Sequence, residues 1–249
     1  DYMRKHYHGD TLVISAAGNV NHSKLVRLVE RKLKIGNGIR NSGGRRSYPR
    51  SYRAVKVTKR DSAQTHLCLG VPAVRYSHPD RLGVAVLNVL LGGGMSSRLF
   101  QTIRERLSLV YSIYSFLESY EDSGIWGIYL ATDAGQLPRA IDYSLRELKK
   151  VKLNAVGRRE LEDAKSQIKG NTVIGLESSS SRMHRLARNE LYLRRYIPLD
   201  QTISDINKIK VDDIHRIARE MFRPENYSAA VLGPVKNGLG KSLRSDLNN

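Results

Sequence analysis

The sequence lacks several features that mark particular classes of protein. Its 249 residues contain a single cysteine, Cys68, which excludes an internal disulfide and a thiolate metal cluster. No apolar run approaches the length of about 18 residues that a membrane-spanning helix requires. We expect Cys68 to be a buried, inert thiol, because it lies in the strand-like run from Thr65 to Val71 and no base is placed to activate it.

The metal-binding motif H-x-x-E-H is also absent. Among the seven histidines, only His6 and His8 lie close together, and no glutamate lies near them. A fortuitous pair at the end of a helix explains them better than a metal site does. We therefore expect this chain, by itself, to bind no catalytic metal.

The first ten residues, DYMRKHYHGD, contain no apolar core of the kind found in signal peptides. They are patterned like the end of a helix and begin with aspartate, so we expect the chain to be the back part of a longer protein. The single cysteine is typical of a reducing compartment. Together these features predict a cytoplasmic protein.

Acidic residues are scarce, with 24 Asp and Glu against 42 Lys and Arg, and the formal net charge is +18. Such a charge favours acidic partners, anionic membrane surfaces or nucleic acid. The basic residues are nevertheless spread along the chain, without zinc-finger spacing, an aromatic RNP-like strand or a long basic tail. The pattern favours a basic, solvated surface over a dedicated nucleic-acid site.

The most informative stretch that is present runs from Leu91 to Ser119. A glycine run opens it, a helical pattern follows over Arg98–Arg106, and strand-forming residues occupy Leu109–Leu117. Arg104 lies near the end of the predicted helix, and Tyr111 follows seven residues later in the strand. On the pattern alone, these two are a solvated helix residue and a strand aromatic.

The order of predicted elements indicates the fold class. From about residue 52 onward the chain reads strand, strand, helix, helix, strand, strand, several helices and a last strand. Strands that follow one another can pair as hairpins, and the helices cluster late. The sequence therefore predicts an α+β fold, with a mostly antiparallel sheet and helices packed on one face.

An internal similarity predicts two related domains in tandem. With an offset of 215, the segment Tyr2–Val20 aligns with Arg219–Val235, so that Gly18 meets Gly233. Both segments read as a helix end, an aromatic residue, a turn, an apolar strand, a glycine and a valine.

The predicted organisation has four parts. They are the tail end of an upstream domain (residues 1–36), a linker (37–51), a C-terminal domain (52–236) and a flexible tail (237–249).

Several blocks carry a resemblance to a known family. The sequence GGGMSSRLFQTIRE followed by LVYS resembles the C-terminal half of the pitrilysin/insulinase family of zinc metallopeptidases. The blocks LEDAKSQIKGNTVIGLESSSSRMHRLARNELYLRRYIPLD, MFRPENYSAAVLGPV and DYMRKHYHGDTLVISAAGNVNHSKLV are similar to that family too. The resemblance covers Tyr2–Val235, and it is strongest to bacterial proteins similar to mitochondrial processing peptidase.

The resemblance implies a two-domain clamshell that cleaves peptides or presequences inside a chamber. The upstream N-terminal half would carry the H-x-x-E-H motif and the zinc, which this chain would not bind. This half would supply an Arg and a Tyr seven residues apart, here Arg104 and Tyr111. A Tyr hydroxyl or an Arg guanidinium can stabilise the oxyanion that forms when water attacks a peptide carbonyl, and Arg can also hold substrate carbonyls.

One departure from the family pattern concerns the turn before Tyr111. The family usually has a glycine two or three residues before this tyrosine, whereas the run LSLVY here, which includes Ser108 and Val110, contains no glycine. We therefore expect a stiffer turn.

Three hypotheses remain open at this point: half of a zinc endopeptidase, a non-catalytic scaffold or partner subunit of the same fold, and a basic nucleic-acid-binding module. The resemblance implies an unfolded polypeptide or peptide substrate, the upstream half as a partner, and a homodimer.

Overall fold

The structure, a computed structural model, describes residue 2, residues 7–9, residues 12–33 and residues 53–248. His6 and the predicted linker, residues 37–51, lie outside the described residues. The chain divides into two compact units: Asp1–Tyr48 with Gly170–Pro198 forms the first unit, and Pro49–Lys169 with Leu199–Asn249 forms the second. The assignment of residues 1–36 to the end of an upstream domain stays a prediction.

The second unit contains one five-stranded sheet. Its strands are β1 (Val55–Lys59), β2 (Thr65–Ala73), β3 (Ser112–Ser119), β4 (Gly124–Thr132) and β5 (Ser228–Gly233). The strand order is β1-β5-β2-β4-β3, in which the β1–β5 pair is parallel and the other three pairs are antiparallel. The predicted α+β class, with a mostly antiparallel sheet, is confirmed.

The helices of the described residues follow the apolar periodicities of the sequence. They are α1 (His22–Lys32), α2 (Arg81–Gly92), a π-helix (Phe100–Arg106), α3 (Leu137–Leu153), α4 (Arg158–Gly175), α5 (Ser179–Leu193), α6 (Leu199–Lys208), α7 (Val211–Met221), a 3₁₀ turn (Pro224–Asn226) and α8 (Leu239–Asp246). Asn21 caps the start of helix α1, because its side chain accepts a hydrogen bond from the backbone N–H of Lys24 at 3.0 Å. None of these helices is long and apolar enough to cross a membrane.

One face of the sheet forms the core of the second unit. On β2, Leu67, Leu69 and Val71 are at most 2% exposed, and they join the same apolar cluster as Leu87 of α2 and Ile217 of α7. Burying each such side chain contributes roughly 1.5–3 kcal/mol to stability. Helices α2 and α7 therefore pack against this face, as predicted.

The opposite face of β2 corrects the expectation for Cys68. Successive side chains of a strand point to opposite faces, so Cys68 lies with His66 on the face away from the core, where it is exposed. Neighbouring side chains partly desolvate the thiol and raise its pKa, which disfavours the reactive thiolate. His66 on the same face hydrogen-bonds the hydroxyl of Tyr129 at 2.8 Å.

The segment predicted as a tail contains a packed helix. Residues 237–249 were expected to be flexible, but they contain α8, which packs against β1. Leu239, Leu243 and Leu247 recur every four residues, and this spacing forms an apolar stripe along one side of the helix. Leu243 and Leu247 are 1% and 2% exposed, so burial of this stripe holds the segment in place.

The two aligned segments of the internal similarity share a backbone turn. Gly18 has φ of 131° and Gly233 has φ of 153°, values that favour glycine. In each segment the valine two residues later donates its N–H to the glycine carbonyl at 2.9 Å. The apolar strand predicted in the first of these segments, over residues 12–17, is not formed among the described residues.

The end of α2 approaches β3 at the first glycine of the glycine run. A Cβ atom on Gly92 would lie 2.4 Å from the backbone N of Ser115 and 2.6 Å from its Oγ. Asn88 reinforces the contact, because its carbonyl accepts from Ser115 Oγ at 2.9 Å and its side-chain oxygen accepts from Trp126 Nε1 at 2.9 Å. Only glycine permits this approach.

Replacing Gly92 by alanine is expected to lower the free energy of unfolding by about 1–3 kcal/mol, because the added methyl group must push the helix away from β3. Urea unfolding followed by the fluorescence of Trp126, the only tryptophan, measures this change. Gly135→Ala is the control, since no described atom lies within 4 Å of the position of its Cβ. Equal stability of the two variants would contradict the proposed contact.

Candidate functional site

The helix that carries Arg104 is wound more widely than an α-helix. Residues 98–106 are helical, as predicted, but Phe100–Arg106 forms a π-helix in which the N–H of Leu107 reaches the carbonyl of Thr102 at 3.2 Å. Leu99 and Ile103 are fully buried, so the apolar side of the helix anchors it to the core. Short π-helical segments occur frequently at functional sites.

An ion pair holds the beginning of this helix. Arg98 Nη2 donates to Glu160 Oε2 at 2.6 Å, and Arg98 Nε donates to the other carboxylate oxygen. The hydrogen bonds and charge of Glu160 raise the pKa of Arg98. This two-pronged, half-buried pair fixes the helix to α4 with the geometry that an arginine and a carboxylate favour.

The side chain of Arg104 is exposed near the C-terminal end of the π-helix. Its guanidinium carbon lies 4.9 Å from the centre of the Phe100 ring. A cation–π contact of this kind contributes roughly 0.5–1 kcal/mol at an exposed site. The in-plane N–H donors are the groups that recognise carbonyl and carboxylate oxygens, and the ring contact does not use them.

A strained turn joins the π-helix to β3. Ser108 has φ of 50°, in the left-handed region, where a residue with a Cβ costs about 1–2 kcal/mol. The N–H of Leu109 closes the turn on the carbonyl of Ile103 at 3.0 Å. Ser108 is three residues before Tyr111, at one of the two positions where the resemblance implies a glycine, and the stiffer turn expected from the sequence stays a prediction.

Tyr111 lies directly before β3 and is fixed through its backbone. Its N–H donates to the carbonyl of Ala131 on β4 at 2.8 Å, while its side chain is 52% exposed. The hydroxyl donates to Asp133 Oδ2 at 2.9 Å. This hydrogen bond, together with the negative charge of Asp133, raises the pKa of Tyr111. The side chain is therefore a neutral phenol at physiological pH, and it can act as a hydrogen-bond donor.

The two predicted site residues thus lie at the two ends of one short connection. Arg104 is held by Phe100, and Tyr111 is held by Asp133. Sequence reasoning missed Asp133. The only signal was its place directly after a predicted strand that pairs with the strand of Tyr111.

The described residues do not fit a zinc ion. Among them, no group of three or more His, Cys, Asp or Glu side chains is placed to hold a metal. The chemistry that Arg104 and Tyr111 can offer is hydrogen-bond donation to an oxygen atom, such as a peptide carbonyl.

Comparison with sequences of known proteins shows the family. A family model described as the peptidase M16 inactive domain matches residues 1–168. A Bacillus subtilis protein named uncharacterized zinc protease YmxG is 36% identical over 236 residues, which are 95% of this chain and 57% of that protein. An uncharacterized zinc protease of Mycobacterium leprae is 35% identical over 250 residues, covering 98% of this chain and 56% of that protein. The chain spans little more than half the length of these curated relatives.

Solved structures show the same fold. A chain of complex III2 from Candida albicans superposes with a TM-score of 0.85 at 21% identity, covering 99% of this chain and 61% of that chain. A peptidase M16 inactive domain from Pseudomonas fluorescens gives a TM-score of 0.75 at 20% identity, covering 88% of this chain and 53% of that chain. These likenesses concern the fold alone, but the family match and the bacterial relatives confirm the resemblance seen in the sequence. The chain belongs to the peptidase M16 family, in which it matches the domain described as inactive.

Proposed function

We propose that this chain is the half of a zinc-dependent endopeptidase that does not carry the zinc, and that it acts on peptides or unfolded polypeptides in the cytoplasm. An N-terminal half would supply the metal. The observation that carries the proposal is the pair Arg104 and Tyr111, exposed at the two ends of one rigid connection in a family whose relatives are named zinc proteases.

Tyr111 would act as a hydrogen-bond donor in this mechanism. The raised pKa keeps the phenol protonated, so the hydroxyl can donate to the oxygen of the scissile carbonyl as negative charge develops on it. A donor whose backbone is positioned before the reaction begins needs only a side-chain rotation to reach that oxygen, which limits the cost of reorganisation. The backbone bond from Tyr111 to Ala131 provides that positioning.

Arg104 would hold the substrate rather than the reacting carbonyl. Its donors can bind backbone carbonyls of an extended peptide, and this binding would align the scissile bond. The contact with Phe100 restricts the guanidinium, and among the residues that the structure describes Arg104 has no ion pair that a substrate would first have to break.

Replacing Tyr111 by phenylalanine is expected to lower kcat/KM of the complete two-half protein by about 100-fold, because one oxyanion donor is lost. The measurement is chelator-sensitive cleavage of an unfolded protein substrate, with zinc content determined in parallel. Tyr120→Phe is the matched control, since Tyr120 is 51% exposed and lies outside the site.

Two results would contradict the proposal. Unchanged cleavage by Tyr111→Phe would remove this residue from the mechanism. A complete protein without zinc and without cleavage would indicate instead the alternative function, a non-catalytic scaffold or partner subunit of the same fold.

Replacing Arg104 by glutamine is expected to raise KM by roughly tenfold with a smaller change in kcat, since uniform binding of substrate is lost. Arg139→Gln, on the exposed side of α3, is the control for the loss of a positive charge. A fall in kcat without a change in KM would contradict a substrate-holding role.

The first unit supports the need for another half. Helix α1 has no buried residue, and Leu33 at its end is 44% exposed. An offset of 214 aligns Leu25, Val29 and Leu33 with the stripe on α8, where Leu243 and Leu247 are buried against the sheet. The equivalent sheet for α1 would come from the N-terminal half.

A cavity in the first unit also supports the proposal that an N-terminal half covers this part of the chain. It has a volume of about 510 Å³ and is bounded by residues 13–20, α1 and α5. The amide nitrogen of Asn189, which is 5% exposed, lines it and has no hydrogen-bond partner among the described residues. A buried donor without a partner is costly, and a main-chain carbonyl of the N-terminal half would satisfy it. The homodimer remains a prediction from the resemblance alone.

Replacing Val29 by lysine is expected to destabilise the complete protein by more than about 2 kcal/mol, because the N-terminal half would bury the charge. Chemical denaturation of the complete protein measures this, with Leu153→Lys as the control at a position 62% exposed. Equal stability of the two variants would show that no partner covers this face of α1.

A further inference from the structure

The hydroxyl proton of Tyr111 is already donated to Asp133, although the proposed mechanism needs it for the substrate carbonyl. A tyrosine hydroxyl carries one proton and can donate one hydrogen bond. In the structure Asp133 Oδ2 accepts that bond at 2.9 Å. A carbonyl oxygen that is to be stabilised by Tyr111 needs the same proton.

We propose that Asp133 is a positioning residue that holds the Tyr111 hydroxyl in a resting hydrogen bond, and that the substrate carbonyl must take over this bond before the hydroxyl can stabilise it. This inference rests on the proposed function. No covalent bond changes in the exchange: the proton stays on the Tyr111 oxygen, and only its acceptor changes from carboxylate to carbonyl.

The surroundings allow the exchange. Tyr111 and Asp133 are both exposed, so water can solvate the carboxylate when the hydroxyl turns away. The backbone bond from Tyr111 to Ala131, two residues before Asp133, keeps the two side chains adjacent throughout. The turn at Ser108 and the strand pairing of β3 with β4 fix the Tyr111 backbone, so the side chain moves alone.

The negative charge of Asp133 determines whether its replacement speeds or slows the reaction. A carboxylate is a stronger acceptor than a peptide carbonyl, so it competes for the proton in the resting state. Its negative charge also opposes negative charge that develops on the neighbouring carbonyl oxygen. Removing the charge should therefore speed the reaction, whereas removing a residue that merely supports Tyr111 should slow it.

The test uses the complete two-half protein. Asp133→Asn and Asp133→Ala are each expected to raise kcat/KM by roughly threefold to tenfold, the range that corresponds to the net free energy of one ordinary hydrogen bond, since solvent weakens this exposed one. In a Tyr111→Phe background the same replacements should have no effect. Asp142→Asn, an exposed carboxylate that pairs with Arg146 on α3, is the control.

A second measurement does not depend on activity. With ¹³C-labelled tyrosine and Tyr111→Phe for assignment, NMR titration gives the pKa of the Tyr111 phenol in the same protein. Asp133→Asn should lower that pKa towards its ordinary value, because the acceptor loses its charge. An unchanged pKa would overturn the resting hydrogen bond.

The outcomes separate the inference from the proposed function. If the protein cleaves substrate and Tyr111→Phe slows it, but both Asp133 variants are equal to or slower than the parent, the exchange alone is wrong. If the protein has no peptidase activity, the proposed function is wrong and the exchange falls with it. Faster variants whose gain disappears with Tyr111→Phe support both.

Discussion

The close approach of α2 to β3 is the constraint from which the site follows. Because Gly92 has no side chain, the end of the helix lies against the backbone of Ser115, and Asn88 ties the same place to Trp126. The chain therefore leaves α2 at a defined point and enters the glycine run. The Arg98–Glu160 ion pair then fixes the next helix. These contacts thus fix the backbone position of exposed residues such as Arg104.

Two irregularities lie between this junction and Tyr111. In the π-helix the hydrogen bonds span five residues instead of the four of an α-helix, and Ser108 adopts a left-handed conformation that glycine would adopt at less cost. Both departures oppose local preference, so the surrounding packing must maintain them. The buried side chains of Leu99 and Ile103 on one side and the β3–β4 pairing on the other supply that packing. The connection that carries both predicted site residues is therefore rigid at its two ends.

Periodicity made much of the fold predictable. The alternation of β2 and the apolar stripes of α3 and α7 indicated the sheet, its helical face and the element order. The same alternation was not applied to Cys68, which shares a face with His66 and is exposed. Helix periodicity could not distinguish π from α winding, because both retain the stripe formed by Leu99 and Ile103. The four-residue spacing of leucines in α8 was present in the sequence, but its polar, glycine-containing composition favoured a loose tail.

The site was predictable only in part, since its two main residues came from a resemblance and not from pattern. In the sequence alone, Arg104 and Tyr111 look like ordinary surface residues. Only the fold shows that they lie at the two ends of one short connection. Asp133 had no signal of its own, because its relation to Tyr111 depends on the register of β3 against β4. Contacts across a hairpin depend on register, and register is set by burial rather than by the identity of one aspartate.

The internal repeat shows how far burial depends on surroundings rather than on sequence. Gly18 and Gly233 make the same turn, and each is followed by a helix with leucine or valine every four residues. In the second copy the stripe on α8 is buried beside β1, whereas the stripe on α1 is left partly exposed. In the second copy, the motif is stable because a parallel strand, β1, lies beside it. The first copy needs an equivalent strand beside α1. Under the proposed function, the N-terminal half would supply that neighbour. The amide of Asn189 in the adjoining cavity, which has no partner among the described residues, is the polar group that the N-terminal half would satisfy.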